Sequence, residues 1–195
     1  IDEGDGVIAV QLSDGQSEVF IGTRQGMAIR FPEDDVRPMG RTAYGVRGIT
    51  LREGDEVVAM EVVKPGGTLL TLTELGYGKR TPLDEYRVQS RGGVGLKNLD
   101  ITAKNGRVIE IAQVNEDKEL LLITEWGKIL RTPTGDIRTI GRATQGVRLM
   151  DLDEGDKVVS AALVDVDDEP LKDDEPSDEQ TPPSEPPPSE DPPTE

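Results

Sequence analysis

Short apolar runs separated by polar turns recur along the first 164 residues of this chain. In the first unit the runs cover residues 19–21, 27–31, 46–51 and 57–63; they are rich in β-branched residues and are bounded by Gly, Pro and Asp. Runs of this length and composition are typical of β-strands joined by turns. No stretch shows the 3.6-residue period of an amphipathic helix. The pattern therefore predicts an all-β fold with four strands in each unit.

The unit returns at a fixed interval. The pattern Thr-x-x-Gly-x-x-x-Arg begins at Thr23, Thr73 and Thr124, with shifts of 50 and 51 residues. The segment Leu-x-Glu-Gly-Asp, which precedes the last apolar run of a unit, occurs at 51–55 and again at 152–156. Four-stranded units of about 50 residues are typical of propeller blades.

The repeats divide the chain into five parts. A repeat remnant covers residues 1–12, three blades cover about 18–63, 68–114 and 119–164, and a tail covers 165–195. The remnant is included because Ile1-Asp-Glu-Gly-Asp5, followed by Val7–Val10, matches the closing segment of a repeat. Propellers usually close with about four to eight blades. Residues 1–164 therefore predict a partial propeller-like domain with an incomplete ring, the last part of a longer domain.

Charge is distributed unevenly along the chain. The net charge is −17, but residues 165–195 contain 13 acidic residues, one basic residue and nine of the 14 prolines. Such a composition cannot support a hydrophobic core, which predicts a disordered acidic tail. The remaining 164 residues are close to balanced, with 26 acidic and 21 basic residues. An acidic total therefore does not exclude a polyanionic partner for the folded part.

Cysteine and histidine are both absent from the sequence. This excludes disulfides, Cys/His zinc sites and a histidine general base. The composition suits a reducing cytoplasm. No apolar run is long enough to predict a membrane span, and aromatic residues, at 3%, are too few for base stacking to be the main mode of binding.

Each repeat contains one basic loop that carries a glycine. The three loops supply nine cations at equivalent positions: Arg37, Arg41, Arg47; Arg87, Arg91, Lys97; and Arg138, Arg142, Arg148. Equivalent positions in repeats are equivalent in space, which predicts a basic stripe along one rim. Arginine forks grip phosphate oxygens, and glycine lets the backbone approach a phosphate closely. We therefore expect contacts to the backbone of duplex DNA that carry little sequence information and bend the duplex.

Two other interpretations of the basic stripe stay open. The arginines could be solvated or paired with nearby acids such as Glu33–Asp35 and Asp84–Glu85, or the rim could bind a protein partner. The repeated Thr-x-x-Gly segment, by contrast, favours an architectural role in a strand and turn.

Three segments resemble the C-terminal domain of the gyrase A protein, which belongs to the type IIA DNA topoisomerase family. They are 26–51, which includes Asp35-Val-Arg-Pro-Met-Gly-Arg41, then Gly76-Tyr-Gly-Lys-Arg-Thr81, and Ile140-Gly-Arg-x-Thr-Gln-Gly-Val147. The resemblance implies a six-bladed β-pinwheel that wraps DNA around its rim, so that the parent enzyme, DNA gyrase, can introduce negative supercoils. It also implies a bacterial, cytoplasmic, nucleoid-associated A2B2 complex of two gyrase A proteins with two gyrase B proteins, without a membrane partner. Mg²⁺ and ATP would serve that complex, with no cofactor in this fragment.

The family's gyrase box, Gln-Arg-Arg-Gly-Gly-Lys-Gly, has a partial match at 89–95. The matching residues are Gln89, Arg91, Gly92, Gly93 and Gly95, whereas Ser90 and Val94 replace two basic residues. The resemblance implies a DNA-rim position in the next-to-last blade, with the true box upstream of Ile1. Alternative functions are the corresponding DNA-binding protein of topoisomerase IV and a propeller scaffold that binds protein.

No catalytic or metal-binding residue is predicted. The resemblance places the strand-cleaving tyrosine upstream, so Tyr44, Tyr77 and Tyr86 are expected to be structural. The sequence has no Gly-x-x-x-x-Gly-Lys-Ser/Thr loop for a nucleotide phosphate. The acidic tail has two open interpretations, which are competition with DNA for the rim and simple solubilisation.

Overall fold

The computed structural model describes residues 1 and 3–165, which form eleven β-strands and three short 3₁₀ turns, with no α-helix among them. The all-β prediction is confirmed. The acidic tail predicted for 165–195 lies outside the described residues, except for Asp165, which ends the last strand and pairs with Lys118 at 3.2 Å. Within the described residues no helix is long or apolar enough to cross a membrane.

The strands follow the repeat pattern. They are β1 (Glu18–Thr23), β2 (Met27–Pro32), β3 (Val57–Val63), β4 (Thr68–Thr73), β5 (Tyr77–Pro82), β6 (Leu96–Lys97), β7 (Val108–Val114), β8 (Lys118–Thr124), β9 (Ile129–Pro133), β10 (Val147–Arg148) and β11 (Val158–Asp165). The 3₁₀ turns are Glu33–Asp35, Leu83–Glu85 and Thr134–Asp136, each directly after the second strand of its repeat. The strand expected at Val7–Val10 is not formed, because these residues have no neighbouring strand to pair with in the described chain.

The Thr-x-x-Gly segment closes the first hairpin of every repeat. The Gly26 amide donates to the Thr23 carbonyl at 3.0 Å, and the Thr23 hydroxyl accepts the Met27 amide at 3.1 Å. The same pairs of bonds recur at Thr73 and Thr124. The threonine hydroxyl thus satisfies a backbone donor inside the turn, which explains why threonine suits this position.

Each complete blade takes its fourth strand from the following repeat. Blade 1 has the strand order β3-β1-β2-β6, and blade 2 has the order β7-β4-β5-β10, with all neighbours antiparallel. Blade 3 has three strands in the described residues, in the order β11-β8-β9. The four-stranded sheets of the prediction are confirmed, but the fourth strand of each complete sheet comes from the following repeat and not from the same one. The run at 46–51 forms no strand, because the described residues contain no preceding blade for it to join.

The order of the strands defines an inner and an outer side. The closing strand β7 contacts β3 of the preceding blade and β11 of the following blade, so these strands lie on the inner side. The exchanged strands β6 and β10 lie at the opposite, outer edge of their sheets.

The hydrophobic core lies between consecutive blades. One buried cluster joins Phe20 and Val63 of the first repeat to Tyr86 and Ile111 of the second, and a second cluster joins blades 2 and 3. The rings of Phe20 and Tyr86 meet edge to face, with centroids 5.1 Å apart. Because each blade buries apolar surface only against its neighbours, stability depends on nearest-neighbour interfaces.

The arginine at the end of the repeated motif also joins consecutive repeats. Arg30 is buried and donates to the carbonyls of Leu83 and Tyr86 at 2.9 and 3.0 Å. Arg80 makes the equivalent contacts to the carbonyls of Ile137 and Gly135, at 2.8 and 3.0 Å. Each arginine thus fixes the 3₁₀ turn that precedes the next basic loop.

Replacing Gly95 by alanine tests the strand exchange. A Cβ atom at Gly95 would clash with the Ala28 carbonyl oxygen of the receiving blade, and the residue has φ +73°. The equivalent Gly45 has φ +82° but no atom within 4 Å of such a Cβ. We expect Gly45→Ala to lose about 1 kcal/mol from backbone strain alone. Gly95→Ala should lose roughly 2 kcal/mol more, because the exchanged strand must shift away from β2.

Urea unfolding followed by circular dichroism measures both losses. Since the two substitutions carry a similar backbone cost, their difference reports the close approach of the exchanged strand. Equal losses in the two variants would contradict the strand exchange.

Candidate nucleic-acid interface

The three predicted basic loops, each taken together with the three residues that follow its last cation, are defined here as loop 1 (residues 37–50), loop 2 (residues 87–100) and loop 3 (residues 138–151). Loop 2 runs along the outer edge of blade 1: the backbone amide of Gln89 donates to the Arg30 carbonyl at 2.8 Å, and the backbone amide of Asn98, near the end of the loop, donates to the Gly26 carbonyl at 2.8 Å. Loop 3 follows blade 2 in the same way, with bonds to Arg80 and Gly76. The strand exchange therefore places these loops on the outer rim.

Neighbouring loops are joined by backbone hydrogen bonds. The Gly92 amide donates to the Gly48 carbonyl at 2.6 Å, and the Thr50 amide donates to the Gly93 carbonyl at 2.8 Å. Loops 2 and 3 are connected by a bond of 2.9 Å from the Asp100 amide to the Thr144 carbonyl. The three loops thus form a continuous row along the rim.

The nine cations of this row differ in exposure. Seven side chains are exposed to solvent, namely Arg37, Arg41, Arg47, Arg87, Lys97, Arg138 and Arg148. The other two, Arg91 and Arg142, occupy equivalent positions and are half-buried.

Arg91 and Arg142 bind the loop before their own. Arg91 donates from Nε to the Asp35 carbonyl at 2.8 Å and from a terminal nitrogen to the Arg47 carbonyl at 3.1 Å. Arg142 donates to the Lys97 carbonyl, also at 3.1 Å, and lies over the ring of Tyr86 with its guanidinium carbon 6.0 Å from the centroid. Arg41, the equivalent residue of loop 1, makes no such bond within residues 3–165.

The last cation of loops 2 and 3 has a carboxylate partner three residues later. Lys97 pairs with Asp100 at 2.9 Å, and Arg148 pairs with Asp151 at 2.6 Å. Hydrogen bonds to the Tyr77 hydroxyl and to Asp151 raise the pKa of Arg148. Thr50 stands at the corresponding position after Arg47. Exposed pairs of this kind are weak, so they leave the cations able to exchange partners.

The 89–95 segment that matches the gyrase box lies entirely in loop 2. The backbone amide of Gln89 binds the edge of blade 1, and the backbone amide of Gly92 binds loop 1. Gly93 is exposed, whereas Gly95 packs against the Ala28 carbonyl, and Arg91 binds loop 1 as described above. The glycines of this segment therefore serve close backbone contacts within the rim.

The tyrosines occupy contrasting environments. Tyr86 is buried, its hydroxyl donates to the Asn98 side-chain oxygen at 2.5 Å, and burial raises its pKa. Tyr77 is also buried, whereas Tyr44 is 96% exposed. No group of three or more Asp or Glu residues in the described part of the chain could hold a metal ion.

Sequence patterning missed two cations near the rim. Lys104 lies over the ring of Tyr77 at 5.6 Å from the centroid, on the same ring that Arg148 covers. Lys79 is fully buried, and its ammonium donates to the carbonyls of Asn98, Gly141 and Arg142, which belong to two successive repeats. Neither residue recurs in the other repeats, where Ile29 and Leu130 replace Lys79. Periodicity therefore gave no signal for them.

This fold and site define a class of protein: a propeller of strand-exchanging repeats that carries a continuous basic row on its outer edge. The family model for the DNA gyrase C-terminal domain, a beta-propeller, matches residues 17–64, 67–115 and 118–165. The chain belongs to this family.

The relatives agree with this assignment. The DNA gyrase A protein of Staphylococcus aureus (strain NCTC 8325 / PS 47) is 47% identical over 177 residues, which cover 89% of this chain and 20% of the relative. The same protein of S. aureus strain MRSA252 gives 47% identity over 175 residues, again 89% of this chain and 20% of the relative. The chain thus spans about a fifth of the length of these curated relatives.

Solved structures show the same fold. The C-terminal domain of DNA topoisomerase IV superposes with a TM-score of 0.79 at 29% identity, covering 85% of this chain and 52% of that structure. The DNA gyrase A C-terminal domain superposes with a TM-score of 0.71 at 34% identity, covering 76% of this chain and 50% of that structure.

The buried Lys79 predicts a pH dependence of stability. Burial lowers its pKa from 10.5 to about 8. Between pH 8 and pH 10.5 the unfolded chain therefore binds more protons at this site than the folded chain, so the free energy of unfolding rises with pH. We expect the stability of the natural chain, relative to Lys79→Leu, to rise by on the order of 2 kcal/mol across this window.

Urea unfolding at a series of pH values measures this difference. Leucine is the matched control because Leu130 stands at the same position in the third repeat. Subtracting the variant removes the titration of Tyr86 and of the other shared groups. Parallel pH profiles would show that the Lys79 pKa is not lowered.

Proposed function

We propose that this chain binds duplex DNA along loops 1–3 and bends it around the outer rim, as part of a gyrase A protein. The observation that carries the proposal is the row itself. Backbone bonds between Gly92 and Gly48 and between Asp100 and Thr144 join the loops, and seven cations project into solvent from them. A row of this kind has the charge and the repeat spacing to follow a phosphate backbone.

The chemistry of the row favours binding without sequence preference. Its exposed side chains are mainly guanidinium and ammonium groups, which suit phosphate oxygens. A convex rim that holds several phosphates bends the duplex, and preference then arises from the deformability of the DNA. The exposed cations proposed to contact phosphates are Arg37, Arg41, Arg47, Arg87, Lys97, Arg138 and Arg148.

For the parent protein we propose the activity that its relatives' name describes, that of DNA gyrase. The wrapped DNA would serve an ATP-dependent type II topoisomerase that introduces negative supercoils. Its complex would contain two gyrase A and two gyrase B proteins in the bacterial cytoplasm, at the nucleoid, with Mg²⁺ and ATP bound outside this chain. Burial of Tyr77 and Tyr86 supports a structural role for these two tyrosines.

Topoisomerase IV is the second candidate, because its C-terminal domain gives the higher TM-score of 0.79. The fold alone does not separate the two. Among the solved structures, sequence identity favours gyrase, at 34% to the gyrase A C-terminal domain against 29% to the topoisomerase IV domain. Because wrapping of DNA is what the resemblance implies for gyrase, the degree to which this chain bends DNA tests the gyrase candidate.

Reversing the first cation of every loop tests the proposal. Arg37, Arg87 and Arg138 are equivalent and exposed. We expect the triple change to glutamate to weaken binding to a random-sequence duplex at least tenfold. It should also lower the slope of log affinity against log salt by about one for each lost contact. Fluorescence anisotropy over a range of NaCl concentrations measures both quantities.

The matched control changes Arg52, Lys64 and Arg107 to glutamate, because these residues are exposed, lie outside the three loops and give the same change in net charge. An equal loss in the control would mean that net charge, and not the row, determines binding. Unchanged affinity in the first variant would favour a rim that binds a protein partner.

A further inference from the structure

We propose that Arg91 and Arg142 are positioning residues, which set the spacing of the basic loops and do not themselves contact phosphate. This inference rests on the proposed function, since it concerns how the same row binds DNA. Both residues occupy the middle cation position of a loop, where sequence patterning alone predicts DNA contact.

The same contact occurs twice in the structure. A terminal guanidinium nitrogen of Arg91 donates to the Arg47 carbonyl, and that of Arg142 donates to the Lys97 carbonyl, each at 3.1 Å. Arg47 and Lys97 are themselves equivalent residues of successive loops. Because the same contact occurs at two equivalent places, it is a regular feature of the repeat structure.

A carboxylate of the preceding 3₁₀ turn completes each connection. The Arg91 amide donates to an Asp35 side-chain oxygen at 3.3 Å, and the Arg142 amide donates to a Glu85 side-chain oxygen at 3.0 Å. Each of these residues therefore binds the preceding repeat through both its backbone and its side chain. Two separate anchoring bonds fix the position of a loop more firmly than either one alone.

Burial separates Arg91 and Arg142 from the other cations. They are half-buried, whereas the remaining seven are exposed. Two donors of Arg91 already bind carbonyls, and Arg142 stacks on the buried Tyr86. Turning either side chain outward to grip a phosphate with its fork would break bonds that hold the row together.

The spacing of exposed cations follows from these bonds. The acceptor of Arg91 is the backbone of Arg47, and the acceptor of Arg142 is the backbone of Lys97, both of which are exposed cations of the row. Moving a loop therefore moves the groups that meet the phosphates. Since DNA bending requires several phosphates to be held at once, loss of spacing should reduce the bend more than the number of contacts.

Lysine substitutions separate charge from geometry. Lysine keeps the charge but lacks the fork that lets Arg91 bind the two carbonyls of Asp35 and Arg47 together. We expect Arg91→Lys and Arg142→Lys, singly and together, to reduce the bend angle of a bound duplex several helical turns long, with the salt slope unchanged. Fluorescence energy transfer between dyes at the ends of the duplex measures the bend, well below the melting temperature of each variant.

Arg52 provides the matched control for the lysine change, because it is exposed and lies outside the three loops. Arg52→Lys should leave the bend and the salt slope unchanged. Arg41, an exposed cation of loop 1, serves as the comparison for a phosphate contact. Arg41→Gln should lower the salt slope by about one, as expected for the loss of one phosphate contact. Arg91→Gln should leave the slope unchanged while the bend decreases.

Removing the carboxylate of each connection should have the opposite effect on DNA to the one expected from charge alone. Asp35→Ala and Glu85→Ala remove a negative charge from the rim, which on charge alone would strengthen DNA binding. If the carboxylates act through the arginine loops, both variants should instead bend the duplex less.

Three results would overturn the inference. Normal bending by Arg91→Lys, together with a slope lowered by about one in Arg91→Gln, would make Arg91 a phosphate contact. A lower melting temperature with normal bending would make the connection merely structural. Stronger binding with normal bending in Asp35→Ala and Glu85→Ala would remove the role of the carboxylates. Failure of the proposed function is distinct, since the natural chain would then show no salt-dependent binding to the duplex.

Discussion

The interaction on which the structure depends is backbone pairing between consecutive repeats. Strands β6 and β10 complete the blades that precede them, and the basic loops follow the same outer edges. Fold and site therefore have one origin, because the segment that closes a blade is also the segment that carries the cations. Arg30 and Arg80 reinforce this pairing from inside, since they bind the carbonyls of the turn that begins the next loop.

The position of the basic loops along one rim explains how an acidic protein presents a basic surface. Whereas the net charge of the whole chain is −17, the cations of loops 1–3 share one rim. Several carboxylates near that rim are engaged by Lys97, by Arg148 or by the backbone amides of Arg91 and Arg142. The local field, and not the total charge, governs what can approach this surface.

Much of this arrangement could be predicted from sequence. The period of about 50 residues gave the all-β class and the equivalence of the nine cations, because repeats make the same local structure. The exchange of strands could not be predicted, since β6 and β10 have only two residues each and no pattern marks their partner. Arg41, Arg91 and Arg142 occupy the same position of the repeat, so the sequence alone does not distinguish them. Only their contacts with a neighbouring loop do. Lys79 escaped prediction because its burial arises where two repeats meet.

Strand exchange has a consequence for biosynthesis. A ribosome releases the second strand of a blade well before the segment that will cover it, so a nascent chain always carries one uncovered sheet edge. Such edges invite aggregation. In the described residues the strands that wait in this state are β2 and β5, and each carries at least one charged residue: Arg30 in β2, and Lys79 with Arg80 in β5. Charges on an edge discourage pairing with a foreign strand. The same arginines that later bind the next turn thus protect the chain while that turn is still being made.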